Sequence, residues 1–189
     1  MVFELVLNCS DSRPLMARNI EIKARVSDLP AVRSRVAAIT ASAPEVLMQS
    51  DTFYAAPTGR LKLRRIGDSL AELIYYERPN QAGPRASAYV RTPIPDPASM
   101  HELLHRALGT KAIVRKRREL YVIGQTRVHL DEVEGLGAFL ELEVVLSADD
   151  KDQDGERISN TLIGQLGIRP EDLIKEAYVD LLNVVRLQG

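Results

Sequence analysis

The sequence predicts an α+β domain in which eight antiparallel strands form a closed β-barrel with helices packed outside. Three observations support this prediction. Eight segments alternate apolar with polar residues, as β-strands do, and short turns separate most of them. Four other segments carry apolar residues at helical spacing. Several strands also carry charged residues of both signs opposite their apolar face, an arrangement that suits the lining of one lumen.

The predicted strands are rich in β-branched and aromatic residues. Turn-forming residues lie between them, such as Gly67 with Asp68, and Gly124. Such short connections favour antiparallel hairpins over parallel crossovers. The predicted strands span residues 19–26, 46–54, 60–66, 70–78, 86–93, 112–123, 126–133 and 138–146.

Four segments are predicted to be helices that cover the sheet. The first spans residues 28–42, with Asp28 as its N-cap and Pro30 in its first turn. The others span residues 97–108, residues 153–166 and a C-terminal segment that begins at Pro170. The apolar stripe of the first helix consists of Leu29, Val32, Val36 and Ile39.

The domain organisation follows from length and from the first strand. A chain of 189 residues accommodates one large domain. Met16 is followed directly by A-R-N-I-E-I-K and would make a natural chain start, so we predict an N-terminal extension over residues 1–15 and a single domain over residues 16–189. The V-F-E-L-V-L run in the extension could add a short strand. The prevalence of twofold symmetry among soluble proteins suggests a homodimer.

The composition excludes several classes of function. The chain has 25 lysine and arginine residues against 26 aspartate and glutamate residues, so no overall positive field favours nucleic acid. No apolar run is long enough for a transmembrane helix, and we expect no membrane partner. The single cysteine, Cys9, excludes an internal disulfide and fits a cytoplasmic location.

Basic residues recur on one face of several predicted strands. Lys62 and Arg64 share a face because residues two apart in a strand point the same way. One such pair is usually a solvated strand face, but here the pattern is repeated in strand after strand. The residues concerned are Lys23, Arg25, Lys62, Arg64, Lys116, Arg118 and Arg127.

Acidic residues occupy the equivalent faces of the first and last strands and of the seventh. An open sheet with its charged face in water is the commoner architecture, but a barrel explains why both signs recur. The basic side chains of an empty lumen would repel one another. A polyphosphate would neutralise them and accept their hydrogen bonds. Carboxylates there would bind Mg²⁺ or Mn²⁺ together with phosphate oxygens. The predicted catalytic residues are Glu21, Asp131, Glu141 and Glu143.

Competing motifs are weak. The sequence contains neither a phosphate-binding G-x-x-x-x-G-K-[ST] loop nor a dinucleotide-binding glycine fingerprint. His101 and His105 stand four residues apart in H-E-L-L-H, but no third ligand matches a zinc protease.

The charged strands resemble motifs of the CYTH or triphosphate tunnel family over about residues 19–182. N-I-E-I-K at 19–23 is similar to the family's E-x-E-x-K, and K-L-R at 62–64 to its basic third strand. The segment L-D-E-V-E-G-L-G-A-F-L-E-L-E at 130–143 is the most specific match, and its form is closer to the class IV adenylyl cyclase branch. V-R-K-R-R-E-L-Y-V-I-G resembles the family's basic strand with its following hairpin, and the later A-Y-V-D-L-L resembles the S-Y-x-x-L-L ending of the cyclase branch.

The resemblance implies an eight-stranded tunnel that binds a small-molecule triphosphate with Mg²⁺ or Mn²⁺. It implies metal ligation by Glu21, Glu141 and Glu143, and a metal-binding or water-positioning role for Asp131. In the cyclase, the ribose 3′-hydroxyl attacks the α-phosphate of ATP and expels pyrophosphate. In the thiamine or inorganic triphosphatases of the family, water attacks the terminal phosphate. The resemblance assigns the phosphate contacts to Lys23, Arg25, Lys62, Arg64, Lys116, Arg118 and Arg127.

Two positions depart from the family pattern. Asn19 stands where E-x-E-x-K has its first glutamate, which removes one carboxylate from the metal site. Glu77 stands where many relatives have a lysine, and we expect it to pair with a lumen arginine or to select a less charged substrate. The sequence therefore leaves three alternatives: cyclase-like turnover of ATP or another organic triphosphate, triphosphate hydrolysis, and phosphate-ligand binding without catalysis.

Overall fold

The structure, a computed structural model, describes residues 17–40 and 42–188. The predicted extension over residues 1–15, with its V-F-E-L-V-L run, lies outside the described residues.

Eight strands form a closed barrel in the order β1–β5–β4–β3–β2–β6–β7–β8, and β8 pairs with β1 to complete the ring. Every pair of neighbours is antiparallel, so the predicted closed antiparallel barrel is confirmed. The predicted strand boundaries agree with the observed ones to within two residues. The strands are β1 (Ala17–Val26), β2 (Glu45–Tyr54), β3 (Arg60–Ile66), β4 (Leu70–Glu77), β5 (Arg85–Pro93), β6 (Thr110–Ile123), β7 (Thr126–Val133) and β8 (Gly137–Leu146).

Two helices, α1 (Leu29–Ile39) and α3 (Asp152–Leu166), pack outside the barrel against each other and against β1 and β8. Asp28 caps α1 as predicted, because its side chain accepts a hydrogen bond of 2.9 Å from the Ala31 amide. The helix α2 (Pro97–Leu108) covers β2 and β3. The core therefore lies outside the barrel, between helices and the outward apolar residues of the strands. It includes Ile22, Leu140, Leu142, Val36, Leu162 and Leu166.

The predicted C-terminal helix from Pro170 is wrong over its first part. Pro170–Asp172 form a single 3₁₀ turn, and the helix α4 begins at Tyr178 and runs to Gln188. Between them the Ile174 amide donates to the carbonyl oxygen of Lys23 at 2.9 Å, and Leu173 forms a bridge with Ala24. The β5 strand pairs with β1 only as far as Glu21, so this segment satisfies β1 backbone groups that β5 leaves free.

The N-terminal turn of α4 closes one end of the barrel. Its Tyr178 and Val179 pack with inward-facing apolar residues near the ends of strands, including Phe53, Val114 and Phe139. The Tyr178 ring meets the Phe139 ring edge-on at 4.9 Å between centroids. The charged middle of the lumen is thus separated from solvent at this end by an apolar layer.

Candidate functional site

The strand registers bring the predicted basic and acidic residues together inside the barrel. Lys23 lies opposite Glu141, Arg118 opposite Asp131, and Arg127 opposite Glu143. Cross-strand partners point to the same face of a sheet, so these pairs share the lumen. The described lumen is lined by paired charges rather than by isolated cations.

Asp51 on β2 is the centre of one ionic cluster. It is 2% exposed and accepts from Lys62 at 3.0 Å and from Arg64 at 2.7 and 2.8 Å. Burial favours the neutral acid, but Arg64 and Lys62 outweigh it and hold the pKa of Asp51 well below its usual range. Burial and the neighbouring Arg64 lower the pKa of Lys62 to about 8, despite Asp51.

Asp131 on β7 is the centre of a second cluster. Arg118 donates two hydrogen bonds of 2.6 Å to its carboxylate, Lys116 one of 3.2 Å and the Tyr178 hydroxyl one of 2.9 Å. Burial would raise the pKa of Asp131, but Arg118 and Lys116 hold it well below its usual range. Burial and the Arg118 guanidinium lower the pKa of Lys116 to about 7. Both carboxylate oxygens of Asp131 accept hydrogen bonds, so Asp131 is placed to orient Lys116 and Arg118.

Glu141 joins the second cluster to β1. Its Oε2 accepts from Arg118 at 2.5 Å, and its Oε1 forms an ion pair with Lys23. The Lys23 ammonium also lies 3.5 Å from the centroid of the Tyr178 ring, a cation–π contact. Burial and the nearby Lys116 lower the pKa of Lys23 well below its ordinary value.

One group of three metal-ligating side chains converges in the described part of the chain: His129, Glu141 and Glu143, with donor atoms within 4.8 Å of one another. His129 Nδ1 lies 3.6 Å from Glu141 Oε2 and 3.9 Å from Glu143 Oε1. Glu143 also binds Arg127 at 2.9 Å. Burial and the Arg118 charge lower the pKa of His129 well below its usual value, which keeps the imidazole neutral.

The predicted residues Glu21 and Arg25 lie away from this group. Glu21 binds Arg78 at 3.0 Å and Arg85 at 3.2 Å, although the β1–β8 register places it opposite Glu143. Arg25 is exposed near the end that α4 closes, with its guanidinium 5.2 Å from the centroid of the Phe139 ring.

Three other residues that the sequence singled out, Glu77, His101 and His105, lie outside the lumen. In the described part of the chain, Glu77 pairs with no lumen arginine: it is exposed, and its carboxylate accepts from the Tyr75 hydroxyl. The reason is alternation, because the inward positions of β4 are the even-numbered ones opposite Lys62 and Arg64. His101 and His105 lie on α2, where Nδ1 of each bonds a hydroxyl, of Tyr54 and Thr110 respectively.

Among the described residues, sequence reasoning missed several that are buried in the charged lumen or line it, including Asp51, His129, Arg85 and Tyr178. Asp51 sits in V-L-M-Q-S-D-T-F-Y, where alternation with Gln49 and Phe53 was a usable signal. His129 shares the alternation of Arg127 and Asp131. Arg85 and Tyr178 carried no such signal, because their roles depend on contacts with distant segments: Glu21 for Arg85, and Asp131 for Tyr178.

No helix in the described residues combines the length and apolar character needed to cross a membrane.

Comparison with known proteins agrees with this architecture. Adenylate cyclase CyaB from Aeromonas hydrophila is 28% identical over 171 residues, which cover 84% of this chain and 85% of that protein. A proposed adenylate cyclase from Methanocaldococcus jannaschii is 33% identical over 95 residues, so this chain spans only 53% of that relative's length. The PH1012 protein from Pyrococcus horikoshii OT3 has the same fold, with a TM-score of 0.78 and 24% identity over 86% of this chain and 98% of that one.

The sequence profile of the CYTH domain matches residues 17–178, which is most of the chain and spans all eight strands of the barrel. The chain therefore belongs to the CYTH domain family.

Proposed function

We propose that this protein binds ATP or another organic triphosphate in the barrel lumen and converts it, with a divalent cation, as a class IV adenylyl cyclase does. The single observation that carries the proposal is the set of cations that converge on the lumen, buried on β1 and β6 and half-buried on β3 and β7. The relatives named as adenylate cyclases support the same activity.

The cations would bind the phosphate chain. Arg64 and Arg118 present guanidinium groups that bind phosphate oxygens in a bidentate manner, as they now bind Asp51 and Asp131. A triphosphate would compete with these carboxylates and with Glu141 for the same donors. Lys23, Lys62, Lys116 and Arg127 extend the basic surface, whereas exposed Arg25 would contribute at the end of the lumen.

The carboxylates would hold the cation. Glu141 and Glu143 offer the oxygen donors that Mg²⁺ and Mn²⁺ prefer, next to the proposed phosphate path, so these residues fit a divalent ion. Glu21 lies opposite Glu143 and would add a third oxygen donor after release from Arg78 and Arg85. When bound, the metal would supply charge neutralisation at the phosphate oxygens. Asp131 would orient Lys116 and Arg118.

An apolar collar favours an organic over an inorganic triphosphate. Leu47, Leu120 and Val145 stand two residues beyond inward-facing Gln49, Arg118 and Glu143, at the end of the barrel opposite α4. All three are partly exposed. A nucleoside or similar group could cover this collar while its phosphates lie in the charged lumen, whereas an inorganic triphosphate would leave the collar uncovered.

Hydrolysis is the alternative that uses the same lumen. In cyclisation the 3′-oxygen forms a bond to the α-phosphorus and pyrophosphate leaves. In hydrolysis water forms a bond to the terminal phosphorus, the bond from that phosphorus to the bridging oxygen breaks, and the diphosphate leaves, so that inorganic phosphate is the second product. Asn19 removes one carboxylate that the family motif supplies to the metal site, so it weakens both routes and favours the third alternative, binding of a phosphate ligand without catalysis.

Product analysis of ATP incubated with the pure protein and Mg²⁺ or Mn²⁺ tests the proposal. Cyclic AMP and pyrophosphate are the expected products, and they should disappear in Glu141→Gln. ADP and phosphate would instead establish a triphosphatase. Binding of ATP without any turnover would leave a phosphate-ligand binding module, and the proposed catalysis would be wrong.

A further inference from the structure

His129 is a buried side chain whose ring nitrogen is left without a partner. It lies on β7 between Arg127 and Asp131 and is 3% exposed. Nδ1 makes no hydrogen bond in the described residues. The nearest carboxylate oxygens, on Glu141 and Glu143, are 3.6 and 3.9 Å away, which is too far for a hydrogen bond. A buried polar atom without a partner destabilises the folded protein, and a ligand bound to Nδ1 would remove this cost.

We infer that His129 is a nitrogen ligand to the divalent cation, together with Glu141 and Glu143. Donor–metal bonds of about 2.0–2.2 Å place two donors roughly 3–4 Å apart at common coordination angles. The distances from Nδ1 to both carboxylates lie in that interval. The inference rests on the proposed metal-dependent function, but it concerns the binding of the ion and not the reaction.

The surroundings also determine when the ion binds. Glu141 is engaged by Arg118 and Lys23, and Glu143 by Arg127. Three cations around two carboxylates oppose a further positive charge, so the ion binds with the triphosphate, which draws those cations away and supplies oxygen ligands.

A nitrogen donor changes which ion the site prefers. Mg²⁺ favours oxygen ligands alone, whereas transition ions accept imidazole readily. The site therefore binds Mn²⁺ more tightly than Mg²⁺, and His129 carries that preference.

The test uses the full chain with Mn²⁺ and inorganic triphosphate, a probe that contains no nitrogen. Electron spin-echo envelope modulation of the bound Mn²⁺ should show a directly coordinated ¹⁴N, which changes to the ¹⁵N pattern when only histidine is ¹⁵N-labelled. In His129→Gln the nitrogen signal should vanish. The dissociation constant for Mn²⁺ should rise about tenfold or more, and that for Mg²⁺ by less. His105→Gln, on the outer helix α2, is the matched control and should change neither the nitrogen signal nor the two dissociation constants.

The wild-type spectrum decides the inference even if His129→Gln does not fold. Bound Mn²⁺ without histidine nitrogen coupling would overturn it, and so would a failure of Mn²⁺ to bind in the presence of triphosphate. Histidine nitrogen coupling to bound Mn²⁺ in a protein that turns over no triphosphate would support His129 as a ligand while refuting the proposed catalysis.

Discussion

Tyr178 of α4 donates a hydrogen bond of 2.9 Å to Oδ2 of Asp131 on β7. Through this contact the helix that closes one end of the barrel is joined to the residue that orients Lys116 and Arg118. Burial and the Asp131 charge raise the pKa of Tyr178 well above its usual value, so the hydroxyl keeps its proton and remains a donor.

Replacement of Tyr178 by phenylalanine should lower stability and weaken triphosphate binding. A hydrogen bond to a charged group contributes about 1.5–3 kcal/mol, and its loss leaves the buried Asp131 with fewer donors. Denaturant unfolding and calorimetric titration with triphosphate would measure the two effects. Tyr121→Phe is the matched control, because Tyr121 donates to Glu119 on the outer face. The Tyr121→Phe substitution should reduce stability but leave the affinity for triphosphate unchanged. Equal affinities of wild type, Tyr178→Phe and Tyr121→Phe for triphosphate would contradict the prediction.

Asp51→Asn should destabilise the free protein yet tighten triphosphate binding. Removal of the carboxylate leaves Lys62 and Arg64 buried without their partner, at a cost of about 3–5 kcal/mol. The same removal frees both cations for phosphate. Thermal unfolding with and without inorganic triphosphate should therefore show a larger ligand-induced increase in the melting temperature than in wild type.

Glu132→Gln controls for the loss of a negative charge, since Glu132 is exposed and pairs with Arg117 outside the lumen. A ligand-induced shift in Asp51→Asn no larger than in this control would show that Asp51 does not compete with phosphate.

Triphosphate binding should take up protons at pH 8. Lys116, with a pKa of about 7, is mostly neutral there, and Lys62, with a pKa of about 8, is half protonated. A bound polyanion stabilises the ammonium form and raises both pKa values, so roughly one proton or more should enter the complex. Calorimetry in buffers of different ionisation enthalpy measures this number. At pH 6 Lys62 and Lys116 are already mostly protonated, so uptake should be smaller than at pH 8; the same uptake at both pH values would argue against these lysines.

Two glycines of α3 should respond to alanine in opposite directions. A Cβ on Gly155 would lie 2.5 Å from Ile20 Cγ1 and 2.9 Å from Leu146 Cδ2, so Gly155→Ala should cost about 1–3 kcal/mol through overpacking against β1 and β8. A Cβ on Gly164 meets no described atom within 4 Å, and Gly164→Ala should stabilise the helix by up to about 1 kcal/mol. Denaturant unfolding measures both, and a stabilised Gly155→Ala would contradict the close approach of α3 to β1.

Most of the fold was predictable because it depends on local periodicity. Alternation identified all eight strands, and the short turns indicated antiparallel pairing. The first three helices were located by their apolar spacing and by caps such as Asp28. The last helix was misplaced because residues 170–172 form a 3₁₀ turn and Leu173 and Ile174 then pair with β1, so the helix begins only at Tyr178.

The local sequence also determined which charged residues share one face of the sheet, since residues two apart in a strand point the same way. Lys62 with Arg64 and Lys116 with Arg118 could therefore be assigned to the lumen. Which partner each one binds depends on the register and curvature of the closed barrel. That geometry pairs Asp51 with Arg64 and Arg85 with Glu21, and it places His129 Nδ1 3.6 Å from Glu141. These distances change with small shifts in strand register and barrel curvature, which the local sequence does not determine.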